Sequence, residues 1–445
     1  MGRRVDTRPM GKRVAVIGAG AAGLASARWL LDAGLDAVVF ERTQAVGGLW
    51  RPDTGLAYPS LRTNTSKVKS AFSDLAFDAE VPDFPRRDDV LAYLERYADV
   101  TGVRSAIRFG RAVETIRPVS GNWTVDGEPF DLVVVATGLF ARELEPALPG
   151  RERYRGAIVH SRAYREPSAF AGRDVVVAGM GSSGADIAVE LAGVARSVTV
   201  AVREMPVFSP WHYRGRPHDH RATRLARMLP LRVRRWRARR VLDAEYTRRG
   251  LRLDRMSLKT TPGTDLLDGL ARGRIALRPA VAGLDEAGAI FADGSRVDAD
   301  AVILATGYTA AFPFLPDGVP PRIDGALALY RLVFPPQVGG IAGLAFAGMT
   351  RVSGPVFPVA ELQARWIAAV FSGRVSLPPD DVMRVEIEAR IARARSAHDD
   401  QMRVELLPYL DDIAARIGAK PSLWRHPRLL VSPVSARDYR TRRAT

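Results

Sequence analysis

The stretch VAVIGAGAAG (residues 14–23) decides the fold of the first part of the chain. Its apolar start indicates a short buried strand, and its glycines indicate a tight turn. A helical pattern continues from this turn to Leu31, and a second apolar strand over residues 37–40 ends at Glu41. Strand, turn, helix and strand within about thirty residues predict one βαβ unit. The three glycines of the turn are Gly18, Gly20 and Gly23.

The glycine spacing indicates a dinucleotide site. The first glycine permits the tight turn, the second lets a pyrophosphate approach the backbone, and the third lets the helix pack against the strand. The pyrophosphate then lies at the helix N-terminus, where free N–H groups and the helix dipole favour anions. Glu41 can accept hydrogen bonds from ribose hydroxyls and would repel a 2′-phosphate, so the site suits FAD or NAD. The alternative is a turn that binds nothing.

A second unit follows the same plan in DVVVAGMGSSG (residues 174–184), with a helix over residues 185–191 and a strand over residues 197–202. Here Arg203 stands where the first unit has an acid. A guanidinium can pair with a 2′-phosphate through charge-assisted bonds of roughly 1.5–3 kcal/mol, so this site is predicted to prefer NADPH. A surface arginine at a strand end would give the same pattern. The predicted contacts of the turn are Gly179, Gly181, Ser182, Ser183 and Gly184.

Two apolar strands with the same ending divide the chain. Residues 132–138 and 301–307 both finish in Ala-Thr-Gly. They bracket an inserted NADPH-binding domain over residues 155–305, and the FAD-binding domain is predicted to be discontinuous, over residues 1–154 and 306–445. The predicted class is α/β, with two Rossmann-like dinucleotide-binding domains and a basic helical insertion.

Composition narrows the function. Apolar residues make up 47% of the 445 residues, which is enough for a sizeable core, and the absence of cysteine excludes a reductase that works through a protein dithiol. The net charge of +16 would attract phosphorylated cofactors or acidic membrane surfaces, although the arginine-rich, alanine-rich composition that a GC-rich genome encodes also explains it. Arg3 and Arg4 before an apolar run resemble a signal peptide, but the glycine turn explains that run better. We expect a cytoplasmic protein without a transmembrane segment and without a nucleic-acid partner.

Residues 214–255 are dense in arginine, and Leu229, Val233 and Trp236 fall at helical spacing. They predict a basic amphipathic helical insertion. Its apolar stripe either packs on the protein as a lid, which we favour, or contacts a membrane surface or an acidic partner. His212, His218 and His220 lie near Asp219, but their spacing favours a solvated loop over a metal site, so no metal is predicted.

Tyr154, Gly156, His160 and Tyr164 fit the fingerprint FxGxxxHxxx(Y/F), with tyrosine in place of its first phenylalanine. Further motifs are Gly47-Gly48-Leu49-Trp50, the segment from Tyr58 to Lys67 with Thr63 and Asn64, Ala305-Thr306-Gly307-Tyr308, and Glu361-Leu-Gln363-Ala-Arg-Trp366. With these motifs the chain resembles, over most of its length, the class B flavin-containing monooxygenases.

The resemblance implies that NADPH reduces FAD, that O₂ then forms a C4a-hydroperoxide, and that this oxygenates a nucleophilic nitrogen or sulfur of a small molecule. It implies cofactor contacts at Gly48, Leu49, Trp50, Thr63, Thr306 and Gln363, a catalytic role for Asn64 beside the flavin, and a homodimer. His160 would couple NADPH binding to flavin reduction, or be a packed structural histidine. We nominate no general acid or base.

Two other functions stay open at this point. Baeyer–Villiger enzymes of the same class usually carry tryptophan where this chain has Tyr164, so heteroatom oxidation is favoured over ketone oxidation. A function of a different kind is a flavoprotein with little turnover that docks to a membrane or an acidic partner through residues 214–255.

Overall fold

The computed structural model describes residues 11–253, 260–337, 342–397 and 399–440. Two five-stranded parallel sheets organise these residues. The βαβ unit predicted from residues 14–23 forms the centre of the first sheet, in which Val16 pairs with Val39 on one side and with Val134 on the other. In spatial order, the strands of the first sheet are Ile107–Arg108, Asp36–Phe40, Arg13–Ile17, Leu132–Val135 and Leu344–Phe346.

The second sheet repeats this arrangement around the second glycine turn. All of its neighbouring strands are parallel, and its central strands are mostly apolar and buried, as in parallel sheets that helices cover on both faces. In spatial order, the strands are Ile275–Arg278, Ser197–Ala201, Asp174–Ala178, Ala301–Leu304 and Ala157–His160. The predicted α/β class with two Rossmann-like sheets is confirmed.

Ten α-helices lie in the described ranges. The labels follow chain order: α1 Ala21–Asp32, α2 Lys67–Ser70, α3 Arg87–Val100, α4 Ser182–Leu191, α5 Arg224–Met228, α6 Leu231–Thr247, α7 Thr264–Ala271, α8 Val356–Phe371, α9 Asp380–Ser396 and α10 Leu406–Arg416.

Smaller sheets decorate the two units. Two have three antiparallel strands: Ile116–Val119, Asn122–Val125 and Glu128–Phe130, and Val281–Leu284, Gly288–Phe291 and Arg296–Asp298. Five have two strands: Val207–Ser209 with Thr260–Pro262, His212–Tyr213 with Arg216–Pro217, Arg142–Glu143 with Tyr308–Thr309, Arg322–Ile323 with Ala326–Leu327, and Arg351–Val352 with Arg403–Val404.

Helix α8 forms the centre of the largest hydrophobic core. Nearly all of its residues are buried, and it packs against α1 and α10. Trp366 of α8 is enclosed by Tyr330 and Phe334 in edge-to-face contacts. The C-terminal part of the chain therefore returns to cover the helix that follows the first glycine turn.

The arginine-rich insertion is helical only in part. Residues 212–221 form a hairpin and a 3₁₀ turn before α5 and α6 begin, and Arg255 of the predicted insertion lies outside the described residues, as do Arg3 and Arg4. The favoured interpretation, a lid whose stripe packs on the protein, is wrong: Val233 and Trp236 are exposed. Helix α6 is instead anchored through its second half, by buried Leu242 and Tyr246.

Within the ranges that the structure describes, no helix has both the length and the apolar character that crossing a bilayer requires.

Candidate functional site

The first glycine turn leaves room for a ligand at its second glycine. Gly18 has φ of +103°, and a Cβ on Gly23 would lie 1.8 Å from the Gly18 carbonyl oxygen, so the packing of the turn itself requires these two glycines. Gly20 has an ordinary φ of −77°. A Cβ there would have its nearest contact at 3.5 Å, with the backbone of Gly48. A methyl group at Gly20 would therefore make only an ordinary van der Waals contact with the protein.

Glu41 is buried at the edge of this turn. Its Oε2 accepts a hydrogen bond from the Ala19 N–H at 2.8 Å. Its Oε1 accepts from the N–H and the hydroxyl of Thr43 at 2.9 and 2.8 Å. These bonds fix the carboxylate, and Oε2 keeps a second lone pair for a ribose hydroxyl.

The segment Gly48–Trp50 forms a 3₁₀ turn against the first glycine turn. The Gly47 N–H donates to the Ala19 carbonyl at 3.1 Å, and a Cβ on Gly48 would lie 2.9 Å from the Gly20 Cα. Of the predicted contacts, Gly48 therefore lies directly against Gly20, and Leu49 and Trp50 follow it in the same 3₁₀ turn.

The second glycine turn has the same division of roles. Gly179 has φ of +109°, and a Cβ on Gly184 would lie 2.1 Å from the Gly179 carbonyl oxygen. A Cβ on Gly181 would meet nothing within 4 Å. Ser182 and Ser183 are the first two residues of α4. In both turns the middle glycine is thus the one that the protein does not need for its own packing.

Arg203 follows the strand Ser197–Ala201 and is exposed. Across the described ranges, no carboxylate lies within ion-pair distance of its guanidinium group. The side chain is therefore available to a phosphate, as the position of the residue at a strand end predicts.

The segment of residues 58–67, called here the Asn64 segment, runs from the first unit to the second turn. The Asn64 side-chain amide donates from Nδ2 to Ser182 Oγ at 2.9 Å. Thr63 is buried, its N–H donates to the Pro85 carbonyl at 2.8 Å, and its hydroxyl donates to the Thr65 carbonyl. The predicted catalytic amide therefore lies at the N-terminus of α4.

Sequence reasoning missed the residues that hold this segment. Tyr58 donates its hydroxyl to Asp186 Oδ2 at 2.5 Å, and burial raises the pKa of the Asp186 carboxyl to about 6 against the opposing effect of this hydrogen bond. Glu190 accepts hydrogen bonds from Ser60 and, at 2.6 Å, from Tyr164. The spacing of Ser182, Asp186 and Glu190 is a signal in the sequence, but nothing there names their partners.

These features fit two dinucleotides. Neither α1 nor α4 has a side-chain cap at its N-terminus, so the free N–H groups of both first turns can bind a pyrophosphate. The turns differ in the charge beside them, a carboxylate at the first and a guanidinium group at the second. The donor sets therefore suit FAD and NADPH respectively.

Comparison with known proteins decides the family. The sequence model described as flavin-binding monooxygenase-like matches residues 11–437. The chain belongs to this family. Dimethylaniline monooxygenase (N-oxide-forming) 2 of Oryctolagus cuniculus is 34% identical over 97% of this chain and 89% of its own length.

Solved structures agree with this membership. The S-allyl-L-cysteine S-oxygenase of Allium sativum superposes with a TM-score of 0.71 at 28% identity, over 94% of this chain and 91% of its own. Cyclohexanone monooxygenase superposes with a TM-score of 0.66 at 19% identity, over 92% and 98%, which shows the fold alone. The flavin-binding monooxygenase-like family uses FAD and NADPH, which confirms the two predicted cofactors and the predicted enzyme class.

The fingerprint of the monooxygenase lies along the edge strand of the second sheet. His160 ends that strand and is buried. Its Nδ1 accepts the Arg162 N–H at 3.1 Å, its ring meets Tyr308 edge to face at 5.1 Å, and burial lowers its pKa, so the ring is neutral at pH 7. A Cβ on Gly156 would lie 2.8 Å from the Asp300 carbonyl oxygen, so close packing requires this glycine.

Two predicted cofactor contacts of the monooxygenase have structural partners. The Thr306 hydroxyl donates to the Leu144 carbonyl. Gln363 is fully buried; its Oε1 accepts the Gly348 N–H and its Nε2 donates to the Tyr409 hydroxyl, both at 2.8 Å. A Cβ on Gly348 would lie 3.0 Å from the Ala22 Cβ, so Gln363 reaches the first turn through Gly348.

The histidines near Asp219 pack between segments. His218 Nε2 lies 3.3 Å from the Asn64 carbonyl oxygen, and His212 Nε2 lies 3.0 Å from Asp83 Oδ2. Within the part of the chain that the structure describes, no group of three histidine or acidic side chains is placed to hold a metal ion.

Proposed function

We propose that this flavin monooxygenase uses NADPH and O₂ to oxygenate a nucleophilic nitrogen or sulfur atom of a small molecule. The observation that carries the proposal is the likeness, over nearly the whole chain, to a monooxygenase named as N-oxide-forming. The structural likeness to an S-oxygenase supports the same chemistry on sulfur.

The cofactors are assigned to the two units by the charge beside each turn. Residues 1–154 and 306–445 are proposed to bind FAD, with Glu41 on its ribose. Residues 155–305 are proposed to bind NADPH, with Arg203 on its 2′-phosphate. The assignment is supported by electrostatics, because a buried carboxylate next to Ala19 would repel a 2′-phosphate and an exposed guanidinium group attracts one.

When bound, FAD supplies the activation of O₂ with electrons from NADPH. The protein's part is to bind, orient and exclude water. The amide of Asn64 can donate and accept without titrating, so it orients reacting groups without supplying stray protons. A nucleophilic amine or sulfide needs no base to react with an electrophilic oxygen. We therefore assign no side chain as a general acid or base.

The test measures how much oxygenated product and how much hydrogen peroxide the variant Asn64→Ala forms for each NADPH consumed. With a tertiary amine and a sulfide as substrates, we expect this variant to release more hydrogen peroxide and less product for each NADPH consumed. Asn122→Ala is the matched control, because Asn122 is an exposed asparagine in a hairpin strand of the first unit. An unchanged ratio of product to peroxide in Asn64→Ala would reject the role of Asn64.

Baeyer–Villiger oxidation of a ketone is the alternative reaction. The superposition on cyclohexanone monooxygenase supports only the fold at its level of identity. Product analysis after parallel incubation with a cyclic ketone and a tertiary amine separates the two reactions. A lactone from the ketone without an N-oxide from the amine would favour the alternative.

A peripheral membrane contact is the second candidate, because the exposed face of the insertion is both apolar and cationic. Met228 is 71% exposed and Trp236 is 58% exposed, and no acidic residue occurs between His220 and Asp243. Thr223 of the insertion pairs with Pro433, two residues after the exposed Val431. Apolar side chains among arginines match an anionic lipid surface. The exposed apolar residues of the insertion are Leu225, Met228, Leu231, Val233 and Trp236.

Sedimentation with phosphatidylglycerol vesicles at low and high salt tests this contact. We expect the native protein to bind the vesicles at low salt, and we expect the double variant Met228→Ser with Trp236→Ser to bind them more weakly. Val385→Ser is the matched control, because Val385 is equally exposed on α9. Equal loss in the control, or equal binding to neutral vesicles, would contradict the proposal.

Two further expectations stay predictions. Analytical ultracentrifugation tests the prediction that the protein is a homodimer. Cell fractionation tests the prediction of a cytoplasmic location.

A further inference from the structure

One face of α4 carries three polar side chains at four-residue spacing. Ser182, Asp186 and Glu190 follow each other along one side of the helix, because residues four apart are neighbours on a helix surface. We call them the polar stripe of α4. The stripe begins at the second glycine turn, where the proposed nucleotide meets the helix.

Each member of the stripe bonds to the Asn64 segment of the first unit. Ser182 accepts from the Asn64 amide at 2.9 Å, and Asp186 accepts from the Tyr58 hydroxyl at 2.5 Å. Glu190 accepts from the Ser60 hydroxyl. The three contacts are thus spread along the whole helix, and they join residues more than one hundred positions apart in the chain.

Glu190 also joins the fingerprint to this contact. Its Oε2 accepts from the Tyr164 hydroxyl at 2.6 Å, and the Tyr164 ring meets the Tyr58 ring edge to face at 6.3 Å. Both tyrosines are buried. One carboxylate therefore ties together the helix, the Asn64 segment and the segment that follows the edge strand of the second sheet.

The insertion holds the Asn64 segment from another side. Asp219 is buried, and its Oδ2 accepts the Ser66 N–H at 2.8 Å. His218 Nε2 lies 3.3 Å from the Asn64 carbonyl oxygen. The segment belongs to the first unit by sequence, yet residues between the strands of the second sheet hold it at Asn64 and at Ser66.

We propose that Asp186 and Glu190 are positioning residues that transmit nucleotide occupancy of the second glycine turn to the Asn64 segment. A ligand held by the free N–H groups of the first turn of α4 restrains the helix, and the helix restrains the segment through its polar stripe. The proposal rests on the assignment of the second turn to NADPH and goes beyond it, since it names the residues that link that site to Asn64.

Hydrogen–deuterium exchange with mass spectrometry on the FAD-loaded protein tests the link, with NADP⁺ as the probe. In the native protein we expect NADP⁺ to slow exchange both at residues 179–184 and at residues 60–64. The slowing at residues 60–64 should be roughly two- to tenfold, which corresponds to one net hydrogen bond. In the double variant Asp186→Ala with Glu190→Ala, the slowing should persist at residues 179–184 and become clearly smaller at residues 60–64, where only the Ser182–Asn64 bond of the stripe remains.

Two further variants complete the experiment. Asp174→Ala is the control, because Asp174 bonds Arg196 and Ser197 in the second unit and has no contact with the Asn64 segment. Tyr58→Phe removes one donor without changing α4, so it tests the link if the double variant does not fold, and it should lose part of the slowing.

Undiminished slowing at residues 60–64 in the double variant, or in Tyr58→Phe when only that variant folds, overturns the proposal. Slowing at residues 179–184 without slowing at residues 60–64 in the native protein also overturns it, while the nucleotide assignment stands. Slowing at neither site overturns the nucleotide assignment and the proposal with it.

Discussion

Alanine substitutions in the second glycine turn separate ligand binding from folding. Gly181 and Gly184 lie three residues apart in one turn, but their surroundings differ. A Cβ on Gly181 meets nothing within 4 Å, whereas a Cβ on Gly184 lies 2.1 Å from the Gly179 carbonyl oxygen, where ordinary contact begins near 3.4 Å. Gly181→Ala should therefore disturb only a ligand, and Gly184→Ala should disturb the protein itself.

The magnitudes follow from these contacts. Gly181 has φ of −75° at the N-terminus of α4, so alanine fits its backbone and should cost less than about 1 kcal/mol of folding free energy. The new methyl group would occupy the space that a pyrophosphate needs. Loss of one charge-assisted hydrogen bond, about 1.5–3 kcal/mol, weakens NADP⁺ binding roughly ten- to hundredfold. Gly184→Ala forces an overlap with backbone and should lower stability by about 1–3 kcal/mol or more.

Isothermal titration calorimetry with NADP⁺ and thermal unfolding of the nucleotide-free protein measure the two effects separately. We expect Gly181→Ala to lose affinity at nearly native stability, and Gly184→Ala to lose stability. Native NADP⁺ affinity in Gly181→Ala would refute the reasoning, because NADP⁺ would then not occupy the open space at Gly181.

Three other substitutions test the charges of the site. Arg203→Ala should weaken NADP⁺ binding about tenfold or more and leave NAD⁺ binding unchanged, by calorimetry; equal losses for both nucleotides would contradict contact with a 2′-phosphate. Glu41→Gln should lower the FAD content of the purified protein, measured by absorbance, and full FAD content would remove Glu41 from that site. Glu361 is buried and accepts hydrogen bonds from Ser73, and burial raises the pKa of its carboxyl to about 7. Because the folded protein then binds this proton more tightly than the unfolded chain, the stability of the native protein should fall as the pH rises from about 5 to 8. The thermal midpoint of Glu361→Gln should fall less over the same pH range. Equal dependence of the thermal midpoint on pH in the two proteins would contradict this linkage.

Local patterns predicted the two βαβ units well. The strand predicted over residues 37–40 spans Asp36–Phe40, and the strand predicted over residues 197–202 spans Ser197–Ala201. A glycine turn is specified by contacts within a few residues, such as Gly184 against Gly179, so its sequence carries most of the information. Element boundaries of this kind can therefore be predicted from one sequence.

The insertion shows where such prediction ends. Helical spacing of Leu229, Val233 and Trp236 predicted an apolar face, but spacing does not say whether the fold covers that face. In the structure Leu229 lies before α6, and the buried residues of α6 are Leu242 and Tyr246, further along the helix than Val233 and Trp236. Burial depends on which distant segment arrives, and no local pattern records that.

The two glycine-turn helices show that residue type alone can still indicate what covers a helix. The first-unit positions equivalent to Ser182, Asp186 and Glu190, counted from the third glycine, are Ala21, Ala25 and Trp29. These three are apolar and α1 is covered by α8, with the guanidinium group of Arg365 4.9 Å from the Trp29 ring centroid. On α4 the same positions are polar, and a hydrogen-bonding segment covers them. A polar stripe after a glycine turn therefore predicts an irregular polar cover in place of a packed helix, and here that cover is the segment that carries Asn64.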